Sequence, residues 1–156
     1  MNPIHNRGSE NIRPMTILDV DAVHRIEELC FPSPWSRESF LKEMRDNHLA
    51  RYFVYEEEGK IIGYAGVWLI EDEGHITNVA VEPGHRGKGI GKELIVMMIE
   101  MLKSKRILRL TLEVRESNHV AIGLYHSLGF EIYGRRKNYY QKENEDALVM
   151  WKSLVD

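Results

Sequence analysis

The 156-residue chain has one cysteine, Cys30. It can form no disulfide within a single chain and build no multi-cysteine zinc or iron–sulfur site, which fits a reducing compartment. Long hydrophobic runs are also missing. The longest, Ile61–Ile70, is broken by Gly63 and Gly66 and falls short of the ~20 apolar residues that a membrane-spanning helix needs. No apolar segment follows His5 and Arg7, so no signal peptide is expected. Neither sign of charge dominates. Lys and Arg number 21 against 24 Asp and Glu, a formal net charge of −3, so no global basic field argues for nucleic acid. The histidines show no metal-ligand spacing. These absences predict a cytoplasmic protein with no metal site, no membrane segment and no nucleic-acid partner.

What is present is ordinary globular usage. Hydrophobic residues at 43% and charged residues at 29% exclude a wholly disordered or low-complexity chain. The length fits one domain. Residues 1–9 are polar and predict a flexible tail, leaving 10–156 as the domain.

Periodicity gives the order of elements. Asn11–Pro14 reads as a short strand. Thr16 is a candidate N-cap with Asp19 three residues on, and Val20, Val23, Ile26 and Leu29 recur at helical spacing, so a helix is predicted over Thr16–Cys30. Pro32 and Pro34 end it, and Ser36 can cap a second helix to about Asp46. Tyr52–Glu56 and Ile61–Glu71 flank Glu57-Glu58-Gly59-Lys60, a hairpin signal. A strand over His75–Val81 precedes an amphipathic helix from Ile90 to Leu102. Leu108, Leu110, Leu112 and Val114 alternate with Arg109, Thr111, Glu113 and Arg115, the pattern of a half-buried strand. A helix through Val120 and Leu128 closes on Gly129, and Phe130–Lys137 and Ala147–Lys152 read as final strands. The order β-α-α-β-β-β-α-β-α-β-β is that of an α/β domain whose helical crossovers demand parallel neighbours.

The stretch Val79–Lys92 is a strand, a glycine-rich loop and a helix start. Glycines permit close backbone approach and unusual dihedrals, and a helix N-terminus offers unpaired N–H groups to an anion. Arg86, Lys88 and Lys92 add positive charge. A Walker A loop does not fit. Two residues separate Gly84 from Gly87-Lys88, three separate Gly87 from Gly91-Lys92, and neither lysine is followed by Ser or Thr. A dinucleotide fingerprint fails because lysine stands at position 92. An acyl-CoA pyrophosphate site remains, beside the plainer reading of a helix start that needs flexible glycines.

Arg86-Gly87-Lys88-Gly89-Ile90-Gly91 resembles the Q/R-x-x-G-x-G/A signature of the GNAT family of N-acetyltransferases. Leu112–Asn118 followed by Ala121–Phe130 is similar to the family's protein N-terminal acetyltransferases, of the ribosomal-protein alanine and archaeal types. So are Phe31–Ser36, Arg135–Tyr140 and Glu145–Ala147. The resemblance spans about Ile12 to Trp151. It implies one GNAT-type domain, a mixed central sheet of about seven strands flanked by about four helices. It further implies acetyl-CoA as co-substrate. The pyrophosphate would lie on the loop from Arg86 through Gly87, Lys88, Gly89, Ile90 and Gly91 to Lys92. The pantetheine arm would run along Val79, Ala80 and Val81, with Asn118 and Tyr125 beside it.

The resemblance assigns Glu113 as general base and Tyr125 as general acid. Spacing alone favours the plainer readings, Glu113 as a solvated carboxylate paired with Arg115 and Tyr125 as an aromatic on the apolar stripe of Leu124 and Leu128; the resemblance reverses them. His75 is the second candidate base. Some archaeal relatives pair a histidine there with a glutamate in the loop between the first two helices, but here the loop 31–35 carries Ser33 and no carboxylate. Cys30 lies on the apolar helix face, as a core residue rather than a nucleophile, so direct attack in a ternary complex is the simpler route. For the acceptor, Phe31, Pro32 and Trp35 with Tyr139 and Tyr140 supply a narrow aromatic entrance. Arg135-Arg136-Lys137 is either an attractor for acidic surfaces or solvated charge. The expected activity is acetyl transfer to protein N-termini, ribosomal or nascent chains among them. The alternatives are a GNAT enzyme acting on a small amine or a lysine, and a non-catalytic acyl-CoA sensor.

Overall fold

The structure, a computed structural model, describes residues 9–155. The expected tail falls almost wholly outside them. The elements are β1 (Ile12–Pro14), α1 (Val20–Cys30), α2 (Arg37–Asp46), β2 (Ala50–Glu57), β3 (Lys60–Ile70), β4 (Glu73–Val81), α3 (Ile90–Ser104), β5 (Arg109–Arg115), α4 (His119–Ser127), β6 (Glu131–Tyr140) and β7 (Glu145–Ser153). Their order is the expected one. The seven strands form one sheet, β1-β2-β3-β4-β5-β7-β6, in which only β4 and β5 pair in parallel. It is the mixed α/β architecture predicted. No helix among the described residues is long and apolar enough to cross a membrane.

Each helix buries one stripe. Ile90, Leu94, Ile95, Met98, Ile99 and Leu102 of α3 pack with Tyr125 of α4 and with Leu110, Leu112 and Val114 of β5. On the other face, Val20, Val23 and Ile26 of α1 and Phe40 of α2 pack with Tyr52, Val54, Tyr64 and Ala80. The sheet is a layer between two apolar cores.

Local chemistry sets the boundaries. The β2–β3 hairpin turns on Glu58 and Gly59, both at positive φ (51° and 77°), as a tight two-residue loop requires. The first turn of the helix predicted from Thr16 is 3₁₀, over Ile17–Asp19, and α1 proper begins at Val20. Asp19 reaches back to accept the Thr16 N–H at 2.7 Å, and Arg13 clamps the same carboxylate with two donors at 2.8 and 2.9 Å. Arg13 holds the buried Asp19 below the ordinary Asp pKa, against the opposing pull of burial. Strand β6 runs to Tyr140, three residues past the predicted end, with Asn138 in a left-handed conformation (φ 51°) at an irregularity in its pairing with β7.

Two apolar patterns mislead. Leu29 and Val120 are exposed although each keeps helical spacing, and Leu108 lies outside β5, partly exposed. Thr111, on the face predicted to be solvated, is buried and donates to the Met150 carbonyl at 2.9 Å. Beside it β7 pairs antiparallel with β5, Thr111 opposite Trp151.

A β-bulge shapes the centre of the sheet. Pairing steps from Gly66↔Asn78 to Val67↔Ile76, which leaves Thr77 of β4 as the extra residue. Asn78 therefore faces the same side as His75, toward α1 and α2. Gly66 sits beneath the Tyr52 ring, where a Cβ would come within 2.2 Å of it.

Two outcomes follow. Gly66→Ala forces the Tyr52 ring aside and costs about 1–3 kcal/mol, seen as a lower urea midpoint with unchanged m. Asp19→Asn destabilises the protein by about 1–3 kcal/mol at pH 7. Because the folded pKa of Asp19 is depressed, that stability is complete above the unfolded value of ~3.9 and is lost as pH falls below it. The two unfolding curves converge in acid.

Candidate active site

Strands β4 and β5 pair only at Glu73, Gly74 and His75 against Arg109, Leu110 and Thr111. Beyond His75 the strands part, while β4 keeps its β3 partner through Val81 and β5 keeps β7 through Arg115. Among the described residues no strand pairs with the β5-facing edge of Ile76–Val81. Val79, Ala80 and Val81, the expected pantetheine segment, lie on this edge.

The glycine loop follows directly. Gly87 and Gly89 have φ of 83° and 82°, the left-handed region open to glycine at little cost. Gly89 is the N-cap of α3 and supplies no side-chain acceptor, so the first-turn N–H groups of Ile90, Gly91 and Lys92 carry no side-chain cap. A Cβ at Gly84, Gly87 or Gly89 would meet nothing within 4 Å. Backbone donors at a helix N-terminus beside open space suit a pyrophosphate. Lys88 and Lys92 are exposed there. Arg86, at the start of the loop, is held within the molecule. Its side chain folds back, donating to the Val81 carbonyl at 3.2 Å and lying 3.2 Å from Cys30 Sγ. Cys30 is half-buried against the α1 core.

The two candidate bases form one unit. His75 Nε2 and Glu113 Oε1 are 2.8 Å apart, and Arg136 approaches the other carboxylate oxygen at 3.5 Å. The Glu113 side chain is 10% exposed. The hydrogen bond to His75, with the Arg136 charge, holds the Glu113 carboxyl below the ordinary glutamate range despite burial, so it is ionised at neutral pH. Arg115 is not its partner. That guanidinium binds Glu143 and Glu145 and stacks 3.9 Å over the Tyr140 ring. Arg135 is held by Glu116 and Asp146. The basic run therefore spends two of its charges inside the molecule.

Tyr125 is fixed from both ends. The helix α4 starts on Asn118, whose side chain accepts the Ala121 N–H at 3.1 Å. It ends in a Schellman motif, with Phe130 N–H on the Tyr125 carbonyl and Gly129 N–H on the His126 carbonyl, both at 3.0 Å. The Phe130 ring meets Tyr125 edge-on at 5.6 Å. Burial pushes the Tyr125 phenol up to about 12, so it is protonated at neutral pH. Tyr140 lies within electrostatic reach of both Tyr125 and Glu113, and its ring meets Tyr139 edge-on at 5.1 Å.

Phe31 and Trp35 pack partly against the α1 core, Trp35 against Phe40 at 5.4 Å, while Pro32 is exposed. Trp35 lines a cavity of about 420 Å³ with Glu43 of α2. Glu43 accepts from Trp68 Nε1, and the Trp68 ring meets His75 edge-on at 6.1 Å. Wall and bases are thus joined through Trp68. Sequence reasoning missed Glu27, which is buried between α1 and the sheet. The signal was present, since Glu27 falls on the stripe of Val20, Val23 and Cys30.

Among the described residues, no three His, Cys, Asp or Glu side chains cluster as a metal site would require. The model of the acetyltransferase (GNAT) family matches residues 20–130. A Bacillus subtilis protein named for ribosomal protein bS18-alanine N-acetyltransferase activity is 44% identical over 143 residues, covering 92% of this chain and 95% of that one. The ribosomal protein bS18-alanine N-acetyltransferase of Escherichia coli is 34% identical over 141 residues, covering 89% and 94%. The crystal structure of an Escherichia coli ribosomal-protein alanine N-acetyltransferase superposes with a TM-score of 0.86 at 32% identity, covering 93% and 94%. Open strand edge, glycine-capped helix and sequence agree: the chain belongs to the GNAT acetyltransferase family, within its ribosomal-protein alanine N-acetyltransferase branch.

Proposed function

We propose that this enzyme moves the acetyl group of acetyl-CoA to the N-terminal α-amine of a ribosomal protein, an alanine-start chain of the bS18 type, in the cytoplasm. The observation that carries the reading is the His75–Glu113 pair at the point where β4 and β5 part.

An α-ammonium titrates near ~8 and a lysine near ~10.4, so freeing the amine at pH 7 costs about 1.4 kcal/mol for a chain terminus against about 4.6 for a lysine. A carboxylate with a depressed pKa is a weak base, which suffices for the first and not for the second. Glu113, directly or through a water, takes the amine proton while His75 orients it. Glu113 passes that proton to solvent, the freed nitrogen lone pair attacks the thioester carbonyl in a ternary complex, and Glu113 takes the second nitrogen proton from the tetrahedral intermediate. The tetrahedral intermediate collapses with cleavage of the C–S bond, and the departing thiolate takes the Tyr125 proton. The products are the amide and free CoA thiol, and the proton held at Glu113 returns to the tyrosine through solvent. The 2.8 Å hydrogen bond also supports a second reading, in which neutral His75 is the base and Glu113 fixes its tautomer.

Acetyl transfer to Ala-, Ser- and Met-start peptides beside spermidine tests the reading. Wild type should favour the Ala-start peptide. Glu113→Ala and Tyr125→Phe should each lose about 10²–10⁴-fold in kcat with little change in the acetyl-CoA KM. A loss for His75→Ala with Glu113→Ala within a few-fold moves the base to His75. Preference for spermidine overturns the substrate class.

A further inference from the structure

The loop between α1 and α2 has few internal constraints. Pro32 and Pro34 contribute no N–H. Both its ends are held by one residue, Glu27. The Phe31 N–H donates to the Glu27 carbonyl oxygen at 3.0 Å, and the Trp35 N–H donates to its carboxylate Oε2 at 2.9 Å. The other oxygen, Oε1, accepts from the Tyr64 hydroxyl of β3 and from Asn78 Nδ2 of β4, the latter at 3.0 Å.

Glu27 is 2% exposed, and among the described residues no Lys, Arg or His forms an ion pair with it. A buried carboxylate without a cation is expensive, and an apolar side chain of similar size is often as stable or more so. Asn78 adds to the cost. Its Nδ2 must face the carboxylate, which leaves its buried Oδ1 without a partner. A stripe position that leucine could fill thus holds a network that is costly for stability alone. What the network does is tie the loop to β4. Through the bulge at Thr77, Asn78 faces the same side as His75, three residues away.

We propose that Glu27 is a positioning residue for the acceptor: its carboxylate fixes the Phe31–Trp35 loop against β4 and so sets the shape of the acceptor entrance beside His75. This rests on the reading of that loop as the acceptor wall. The carboxylate absent from the loop reaches it from one helical turn earlier, as a strut rather than a base.

Glu27→Gln separates the two halves of the network. Its amide oxygen still accepts from Tyr64 and Asn78, but its NH₂ faces the Trp35 N–H, and that bond is lost. The expected result is a rise of about tenfold in acceptor KM and faster hydrogen exchange at the Trp35 amide. The acetyl-CoA KM and the pH profile of kcat should stay put. Tyr64→Phe, which leaves the Trp35 bond in place, should leave the acceptor KM unchanged. An unchanged acceptor KM in Glu27→Gln, unchanged exchange at Trp35, a shifted pH profile, or an equal rise in Tyr64→Phe would each overturn the proposal. If wild type acetylates spermidine and no peptide, the acceptor reading fails. The KM split is then measured with spermidine and still decides the role of Glu27.

Discussion

Strands β4 and β5 run parallel for a short stretch and then part. The candidate site depends on that separation. It is possible because each strand has a full antiparallel partner on its other side, β3 for β4 and β7 for β5. Neither needs the other for its structure. Buried backbone groups must find partners, and an unpaired inner edge is tolerated where a gap lets solvent or a ligand supply them. The helix α3, which links the two strands, starts at the open end of the gap with an N-cap that has no side chain. The gap and the glycine-capped helix start are thus parts of one crossover.

Electrostatics hold two groups in opposite protonation states. One is an ionised carboxylate, Glu113, held by His75 and Arg136. The other is a phenol kept protonated by burial, Tyr125. Two groups whose surroundings push them to opposite protonation states are what a transfer needing one base and one acid requires. Their placement comes from elements with their own reasons to be where they are. Glu113 follows from the alternation of β5, and Tyr125 from the cap that closes α4.

Much of this was legible in the sequence because it is locally encoded. Turn residues, caps and apolar periods gave the order of elements, the Glu58-Gly59 hairpin and the Gly129 stop. What was hidden is what depends on contacts across the chain. His75 and Glu113 appeared as rival bases because nothing local says that residues 38 apart touch. Only the fold shows that the Arg86 side chain reaches the Val81 carbonyl and Cys30. Arg115, next but one in β5, looked a natural partner for Glu113, yet alternation on a strand cannot tell which acids the facing strands bring. Glu27 was concealed by the rule that carboxylates on helices face water. The bulge at Thr77, which gives it Asn78 as a partner, has no signature in the sequence.

The central claim is that His75 and Glu113 act as one unit at the mouth of the gap. A double-mutant cycle on kcat/KM for an Ala-start peptide, with Glu113→Gln, His75→Gln and the double variant, tests it directly. The account predicts strong non-additivity, with the double variant losing about as much rate as the worse single one. Fold losses that multiply in the double variant would show two independent groups and contradict it.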